Sequence, residues 1–190
     1  SASGSYVWDA PLKSYEDDLP RLRVPSVKVD QEQTERVRAE TESVLGDLLE
    51  VSVRGTWWWT MGLTSTAIFL RGLEQMMLDM CLEPDGLKAL LAFLRDGQMA
   101  WLDHLEGEGL LSLNTADSYV GSGGFGYTRE LPRPDFDGHV RPMDMWGFAE
   151  SQETVSISPE QFEEFVFPYQ LPILERFGLN CYGCCEPLHL

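Results

Sequence analysis

The spacing of apolar side chains along this chain predicts helices that alternate with short strands. Helical intervals between apolar residues predict four helices, over residues 31–49, 64–80, 87–104 and 159–177. Short apolar runs predict four strands, over residues 50–53, 110–114, 145–149 and 179–182. Residues 115–142 show little periodicity and many Gly and Pro residues, which is typical of a long functional loop or an insertion.

Capping signals fix several of these helix boundaries. Asp30 is a suitable N-cap, with Gln33 three residues later as in a capping box. Pro84 suits the first turn of the third helix, and Ser158 followed by Pro159 suits the start of the fourth. Pro168 is expected to kink or break that fourth helix.

The order of these elements favours an α/β fold with a mainly parallel sheet. Strands that alternate with helices bury the sheet between helical layers, either as a closed barrel or as an open doubly wound sheet. A G-x-G-x-x-G motif follows none of the predicted strands, which weakens a dinucleotide-binding version of the open sheet.

The net charge of the chain limits the kinds of partner that it can bind. The net charge of −17 disfavours nucleic acids and anionic membrane surfaces. Every apolar run is shorter than the ~20 residues of a membrane span.

Three of the four Cys residues lie within positions 181–185, too crowded for an ordinary disulfide framework. Without an export signal, this cluster predicts metal ligands or reactive thiols in a reducing cytoplasm.

Polar groups that follow predicted strands are the candidate site residues, because ligands of parallel α/β folds bind beyond the carboxyl ends of strands. They form three groups: Asn114, Thr115 and Asp117; Glu150, Ser151, Gln152 and Glu153; and Cys184, Cys185, Glu186 and His189.

The third group has the donor chemistry of a zinc site. Zinc takes thiolate and carboxylate ligands, so Cys184 or Cys185 together with Glu186 can supply two, and Cys181 lies three residues upstream. A thiol substrate bound to such a metal would lose its proton and become nucleophilic. The competing interpretation is that Cys181 packs inside a strand and the Cys184–Cys185 pair forms a turn.

The aromatic run Trp57-Trp58-Trp59 has two interpretations. Three adjacent Trp side chains cannot all face one core, so one or two would pack inside while another lines a cleft or an interface. Alternatively, the run forms a wall for a flat or apolar ligand. His104, near the end of a predicted helix, is expected to have a structural or surface role.

Several stretches carry a family resemblance: Leu70 to Gln75 with Met80 and Pro84, Met145 to Glu150, Ser158 to Phe162 through Phe167-Pro168-Tyr169, and Cys181 to Leu188. With them, residues 65–190 resemble the uroporphyrinogen decarboxylase-like superfamily, which includes zinc-dependent cobalamin–coenzyme M methyltransferases. The stretch from Asp18 to Pro25 resembles the family more weakly.

The resemblance implies a (β/α)8 TIM-barrel fold and a site. Cys184 matches the metal-binding Cys of the methyltransferases, whereas Tyr182 stands where their motif has His. Glu186 then serves as an acidic zinc ligand, as in methionine synthase relatives, with Cys185 as the competing thiol. By this resemblance the parent protein is a methyltransferase that acts on a small-molecule substrate with a corrinoid, or a corrinoid protein, as methyl carrier.

The catalytic pocket implied by the resemblance is lined by Glu150 and Gln152, and the Trp run shapes its wall. One alternative within the fold is a cofactor-free decarboxylase, which needs a cationic pocket for an acidic substrate; the candidate arginines are Arg54, Arg71, Arg129, Arg133 and Arg141. A non-catalytic protein-binding domain is the alternative from another class.

Length predicts a single partial barrel domain over residues 1–190. A closed eight-stranded barrel typically takes ~250 residues, and about half of its strands are recognisable here. The family's last Cys ligand would lie beyond Leu190. We therefore expect an incomplete barrel that is inactive alone, and that either pairs its open sheet edge with a second copy or forms an open sheet in place of a barrel.

Overall fold

A small parallel sheet with helices against it forms the centre of the computed structural model, which describes residues 8–116, 118–122 and 124–184. The α-helices are α1 (Tyr15–Asp18), α2 (Gln31–Leu45), α3 (Thr64–Arg71), α4 (Leu73–Leu82), α5 (Pro84–Gly107), α6 (Pro159–Phe165) and α7 (Phe167–Leu174). The strands are β1 (Trp146–Ala149) and β2 (Leu179–Tyr182). Short 3-10 turns lie at Leu19–Arg21, Pro142–Asp144 and Gln152–Thr154.

The two strands are parallel, and α6 and α7 connect them. The register runs from Trp146 beside Leu179 to Ala149 beside Tyr182. This confirms the predicted helix-and-strand alternation and the parallel pairing at this end of the chain. The described residues form a helix-rich α/β structure with a two-stranded sheet, so the closed eight-stranded barrel is not present among them.

The strands predicted over 50–53 and 110–114 were wrong, and at Asn114 a side chain takes the place of a backbone ladder. The Asn114 amide accepts from the Trp146 N–H at 2.8 Å and donates to the Trp146 carbonyl at 2.9 Å. The Met61 N–H donates to the Phe148 carbonyl at 2.7 Å. These bonds satisfy the edge of β1 that faces away from β2 without a regular strand.

Helix starts follow the capping signals. The Asp30 carboxylate accepts from the Gln33 N–H at 2.9 Å, which caps α2. Ser158 and Gln161 exchange the two bonds of a capping box at the start of α6. Pro84 is the first residue of α5. These three predicted boundaries are confirmed.

Two predicted helices are each divided in two. The apolar pattern over 64–80 continues through Gly72, but Gly72 has φ = 90°, a conformation that reorients the chain between α3 and α4. The helix predicted over 159–177 breaks at Val166, two residues before Pro168, whose missing N–H cannot continue the helical bonding.

The main core lies among α3, α4, α5, α7 and β1. Its fully buried members are mainly aliphatic, and the predicted methionine positions on α4 belong to it. They include Met61, Ala67, Met76, Leu87, Leu90, Leu102, Leu105, Ala149 and Ile173. The helical layer therefore covers the face of the sheet that carries Ala149.

A buried ionic cluster attaches the N-terminal segment to this core. The Arg71 guanidinium donates to the Asp79 carboxylate at 2.6 Å, and the Tyr15 hydroxyl donates to the same carboxylate at 2.7 Å. Asp79 has no exposed surface, and Arg71 lies over the Tyr15 ring at 4.5 Å. Arg71 also donates to the Leu12 carbonyl at 3.2 Å, so one cluster joins α1, α3 and α4.

Helix α2 is the exception to this packing, since none of its residues is buried. Its apolar side chains lie largely exposed, with Val44 at 75% and Val37 at 49%. His104 on α5 contacts the segment that precedes α2. Its Nε2 lies 3.2 Å from the Val27 carbonyl oxygen. Among the described helices, none is both long and apolar enough to cross a membrane.

Candidate functional site

The parallel pairing of β1 and β2 brings the ends of two predicted site segments together. Ala149 lies beside Tyr182 in the register, so Glu150 follows one strand where Gly183 and Cys184 follow the other. The Gly183 N–H donates to the Ala149 carbonyl at 3.1 Å and extends the pairing past the strand ends. Cys184, the described member of the third group, therefore lies at the same end of the sheet as the second group.

A pair of hydroxyl groups links the two strand ends. Ser151 Oγ lies 2.9 Å from the Tyr182 hydroxyl oxygen, within hydrogen-bonding distance. Ser151 is buried, and Tyr182 is half-buried and packs against Phe162 of α6 with ring centroids 6.3 Å apart. This contact holds the position after β1 against the last residue of β2.

Glu150 is buried directly after β1, with 1% of its surface exposed. Its carboxylate accepts from the Gln152 N–H at 3.1 Å, and its carbonyl accepts from the Gln170 amide of α7 at 3.3 Å. The Gln152 side chain is exposed at the start of a 3-10 turn. Of the two predicted catalytic residues, Glu150 is thus fixed inside and Gln152 faces solvent.

The remaining members of the first two groups have structural contacts. Asn114 bonds the backbone of Trp146, as described above, and the Thr115 carbonyl accepts from the Thr128 N–H at 3.1 Å. The Glu153 carboxylate accepts from the Thr64 hydroxyl at 2.8 Å, which joins the turn after β1 to α3. Asp117 lies outside the described residues.

Of the predicted zinc ligands, the structure places Cys184. Its side chain is half-buried two residues after β2. Cys185 and Glu186, and His189 beyond them, lie outside the described residues. Across the part of the chain that is described, no three His, Cys, Asp or Glu side chains gather as a metal site would require.

The Trp run lines a cavity of about 250 Å³ against the face of β1 that carries Trp146 and Phe148. Trp58 packs inward, with edge contacts to Trp101 and Phe177 at 6.0 and 5.9 Å. Trp59 remains 53% exposed and meets the Phe148 ring edge at 5.4 Å. This division matches the expectation that part of the run packs inside and part lines a cleft.

A glycine-rich hairpin forms the opposite wall of this cavity. We define the glycine hairpin as residues 118–122 and 124–126; Tyr119 and Phe125 form an antiparallel bridge within it. The Val120 N–H donates to the Gly124 carbonyl at 2.9 Å. The sequence predicted only a long loop here, because the bridge is one residue pair long and has no strand periodicity.

Two of the five candidate arginines are engaged by buried carboxylates. Arg71 binds Asp79, and the Arg141 guanidinium donates to Asp144 at 2.8 Å. The hydrogen bonds from Arg141 hold the pKa of the buried Asp144 carboxyl below its usual value and raise the pKa of Arg141 itself. Arg54 lies elsewhere, on the wall of the Trp cavity.

Comparisons of the chain with protein-family models, curated proteins and solved structures found no match.

Proposed function

We propose that the protein is part of a zinc-dependent methyltransferase with the (β/α)8 barrel fold of the uroporphyrinogen decarboxylase-like superfamily, acting with a corrinoid methyl carrier. The observation that carries the proposal is the parallel β1–α6–α7–β2 unit, which places Glu150 and Cys184 after adjacent strand ends. Such units repeat around an α/β barrel, whose active sites lie at this end of the strands.

The donor chemistry at this edge fits zinc. Cys184 offers a half-buried thiol and Glu150 a buried carboxylate, both of which are ordinary zinc ligand types. We propose Cys184 and Glu186 as the ligands, with Cys185 as the competing thiol. A zinc ion held there would supply a Lewis acid that lowers the pKa of a coordinated thiol or water.

The remaining residues of the site would position groups and move protons. The Glu150 carboxylate accepts from the Gln152 N–H, and the Glu150 backbone carbonyl accepts from the Gln170 amide, so the carboxylate has a fixed place to accept a proton. The Ser151–Tyr182 contact keeps the two strand ends in register. The exposed Gln152 side chain would meet substrate from the solvent side.

The cofactor-free decarboxylase receives less support. That reaction needs cationic groups that converge on an acidic substrate, but Arg71 and Arg141 are engaged with Asp79 and Asp144. Neither of these two guanidinium groups is therefore available to neutralise a substrate carboxylate. Arg54 lines the Trp cavity, whose walls include neither Glu150 nor Cys184, so Arg129 and Arg133 are the candidates that this alternative keeps.

The test is the zinc content of the full chain, measured after equilibration with zinc and gel filtration. We expect Cys184→Ser to lower zinc affinity by more than the ~10–100-fold typical of changes beyond the ligands themselves. Cys81→Ser is the matched control, because Cys81 is an exposed thiol on α4. Retained zinc in Cys184→Ser together with loss in His189→Ala would show that the ligand assignment is wrong.

Turnover separates methyl transfer from a binding domain. In the full-length parent protein, we expect methyl transfer from a methylated corrinoid to a thiol acceptor, abolished by Cys184→Ser and preserved by Cys81→Ser; we expect residues 1–190 alone to be inactive. Zinc-free protein that decarboxylates an acidic tetrapyrrole would support the alternative enzyme. Protein capture without either turnover would support the binding domain.

A further inference from the structure

The glycine hairpin is fitted closely to the face of β1. Gly121 has φ = 69°, and a Cβ there would lie 2.3 Å from the Phe148 ring, closer than real Cβ contacts. The backbone of the hairpin therefore lies directly on the aromatic floor of the cavity, which a larger residue would prevent.

Hydrogen bonds tie this wall to the Trp segment opposite. The Arg54 guanidinium donates to the Ser118 hydroxyl at 2.8 Å, and the Gly126 N–H donates to the Ser118 carbonyl at 3.0 Å. On the inner side, the Trp57 indole N–H donates to the Leu110 carbonyl at 2.8 Å. Among these bonds, the one from Arg54 to Ser118 joins the hairpin to the Trp segment, whereas the other two order the hairpin and the Trp segment separately. Walls ordered in this way are typical of a pre-formed ligand site.

Aromatic rings dominate the surface that a ligand would touch. Trp59 is 53% exposed and Tyr119 is 59% exposed, and both line the cavity together with Phe148 and Trp146 from β1. Rings of this kind favour other rings through edge and offset-stacked contacts.

The lining is mostly uncharged. All of the described lining residues except Arg54 are uncharged, and Arg54 keeps its charge in its hydrogen bond to the neutral Ser118 hydroxyl. The aromatic and uncharged polar side chains around it favour an uncharged ligand. Thr56 and Ser112 belong to this lining, and their side-chain hydroxyl groups can donate to an oxygen atom of a ligand.

Size excludes a large occupant. The cavity volume of about 250 Å³ lies just below the ~300–1,000 Å³ usual for drug-sized ligands. One or two fused rings fit that volume, whereas a corrinoid or a porphyrin macrocycle does not.

We infer that this aromatic cavity binds a small, uncharged one- or two-ring aromatic compound that carries a hydroxyl or carbonyl oxygen. The inference goes beyond the proposed methyl transfer and does not depend on it, because none of the cavity walls includes Glu150 or Cys184.

Binding of phenol to the full chain, measured by calorimetry and by ligand-observed NMR, tests this inference. We expect Trp59→Ala to weaken phenol binding about tenfold or more, since it removes a ring that a bound ligand would stack on. Trp8→Ala is the matched control. Trp8 is also 53% exposed and meets Phe69 edge-on at 5.8 Å, but it lies outside the cavity lining.

Three further probes define the ligand class. Toluene, matched to phenol in size but lacking oxygen, should bind more weakly. Benzoate or choline binding more tightly than phenol would overturn the assignment to uncharged ligands. Equal phenol affinity in Trp59→Ala and the wild type, or equal losses in Trp59→Ala and Trp8→Ala, would overturn the site. None of these binding measurements depends on zinc, so a negative result for phenol would not count against the proposed metal site.

Discussion

Replacement of Asp79 by Asn tests whether the buried ionic cluster holds the N-terminal segment in place. The Asp79 carboxylate has no exposed surface and accepts from Arg71, Tyr15 and the Gln75 amide, the last at 2.8 Å. Asp79→Asn keeps the shape but removes the charge, and leaves the buried Arg71 guanidinium with the half-exposed Glu83 carboxylate, 3.5 Å away, as its remaining counter-ion.

The expected loss is large for a single change. Removal of one partner from a buried ion pair typically costs about 3–5 kcal/mol, because the remaining charge stays desolvated. Tyr15→Phe removes only the hydroxyl bond to the carboxylate, and a hydrogen bond to a charged group contributes about 1.5–3 kcal/mol. We therefore expect Asp79→Asn to lower the free energy of unfolding more than Tyr15→Phe does.

The contributions of Asp79 and Tyr15 to stability change with pH in known directions, Asp79 at low pH and Tyr15 at high pH. Burial by itself would raise the pKa of Asp79, but the hydrogen bonds from Arg71, Tyr15 and Gln75 outweigh it and hold that pKa below its usual value. This contribution is therefore present above about pH 4 and lost as pH falls further. Burial, followed by the bond to Asp79, raises the pKa of Tyr15, so its contribution is lost as pH rises past about 10.

Urea unfolding of the wild type and both variants between about pH 3 and about pH 11, followed by circular dichroism, measures these effects. Glu164→Gln is the control, since it removes a carboxylate from the exposed pair with Lys88 and should leave stability near that of the wild type. If the free energy of unfolding of Asp79→Asn at pH 7 lies within about 1 kcal/mol of the wild-type value, the charge of Asp79 does not stabilise the fold.

Three further changes follow from local geometry. Asn114→Ala removes both hydrogen bonds to the Trp146 backbone, and we expect the free energy of unfolding in urea to fall by about 2 kcal/mol. An unchanged free energy of unfolding would show that water replaces the amide. Ser158→Ala removes a helix N-cap and should cost about 1 kcal/mol in the same assay; an unchanged midpoint would contradict the capping box. Gly121→Ala should displace the glycine hairpin and weaken phenol binding in calorimetry, while Gly138→Ala, also at positive φ but in open space, should leave phenol binding unchanged.

Local signals in the sequence were sufficient for several helix starts and for the parallel strand pair near the C-terminus. The caps at Asp30 and Ser158 depend on residues three positions apart, and β2 is an apolar run bounded by Gly178. Because helices separate β1 from β2, their parallel pairing follows from connection length alone. These elements need no knowledge of distant contacts, and the structure confirms them.

The errors arose where distant contacts decide the conformation. A strand over 110–114 was a reasonable prediction from composition, but the Asn114 side chain takes over bonds that a backbone ladder would make. The positive φ of Gly72 interrupts an apolar pattern that continues on both sides of it. Neither the Asp79–Tyr15 bond nor the aromatic cavity has a sequence signature, because each joins residues far apart in the chain.

The exposure of α2 has a consequence for the way in which parts of this chain open. Helix α5 is stabilised by side chains buried in the core, whereas none of the 15 residues of α2 is buried. Core packing therefore adds little to the stability of α2. A helix of that length is marginal in water without such packing. Amide protons of α2 should therefore exchange with solvent through a local helix–coil equilibrium that urea hardly changes, whereas those at the centre of α5 should exchange only when the whole core opens.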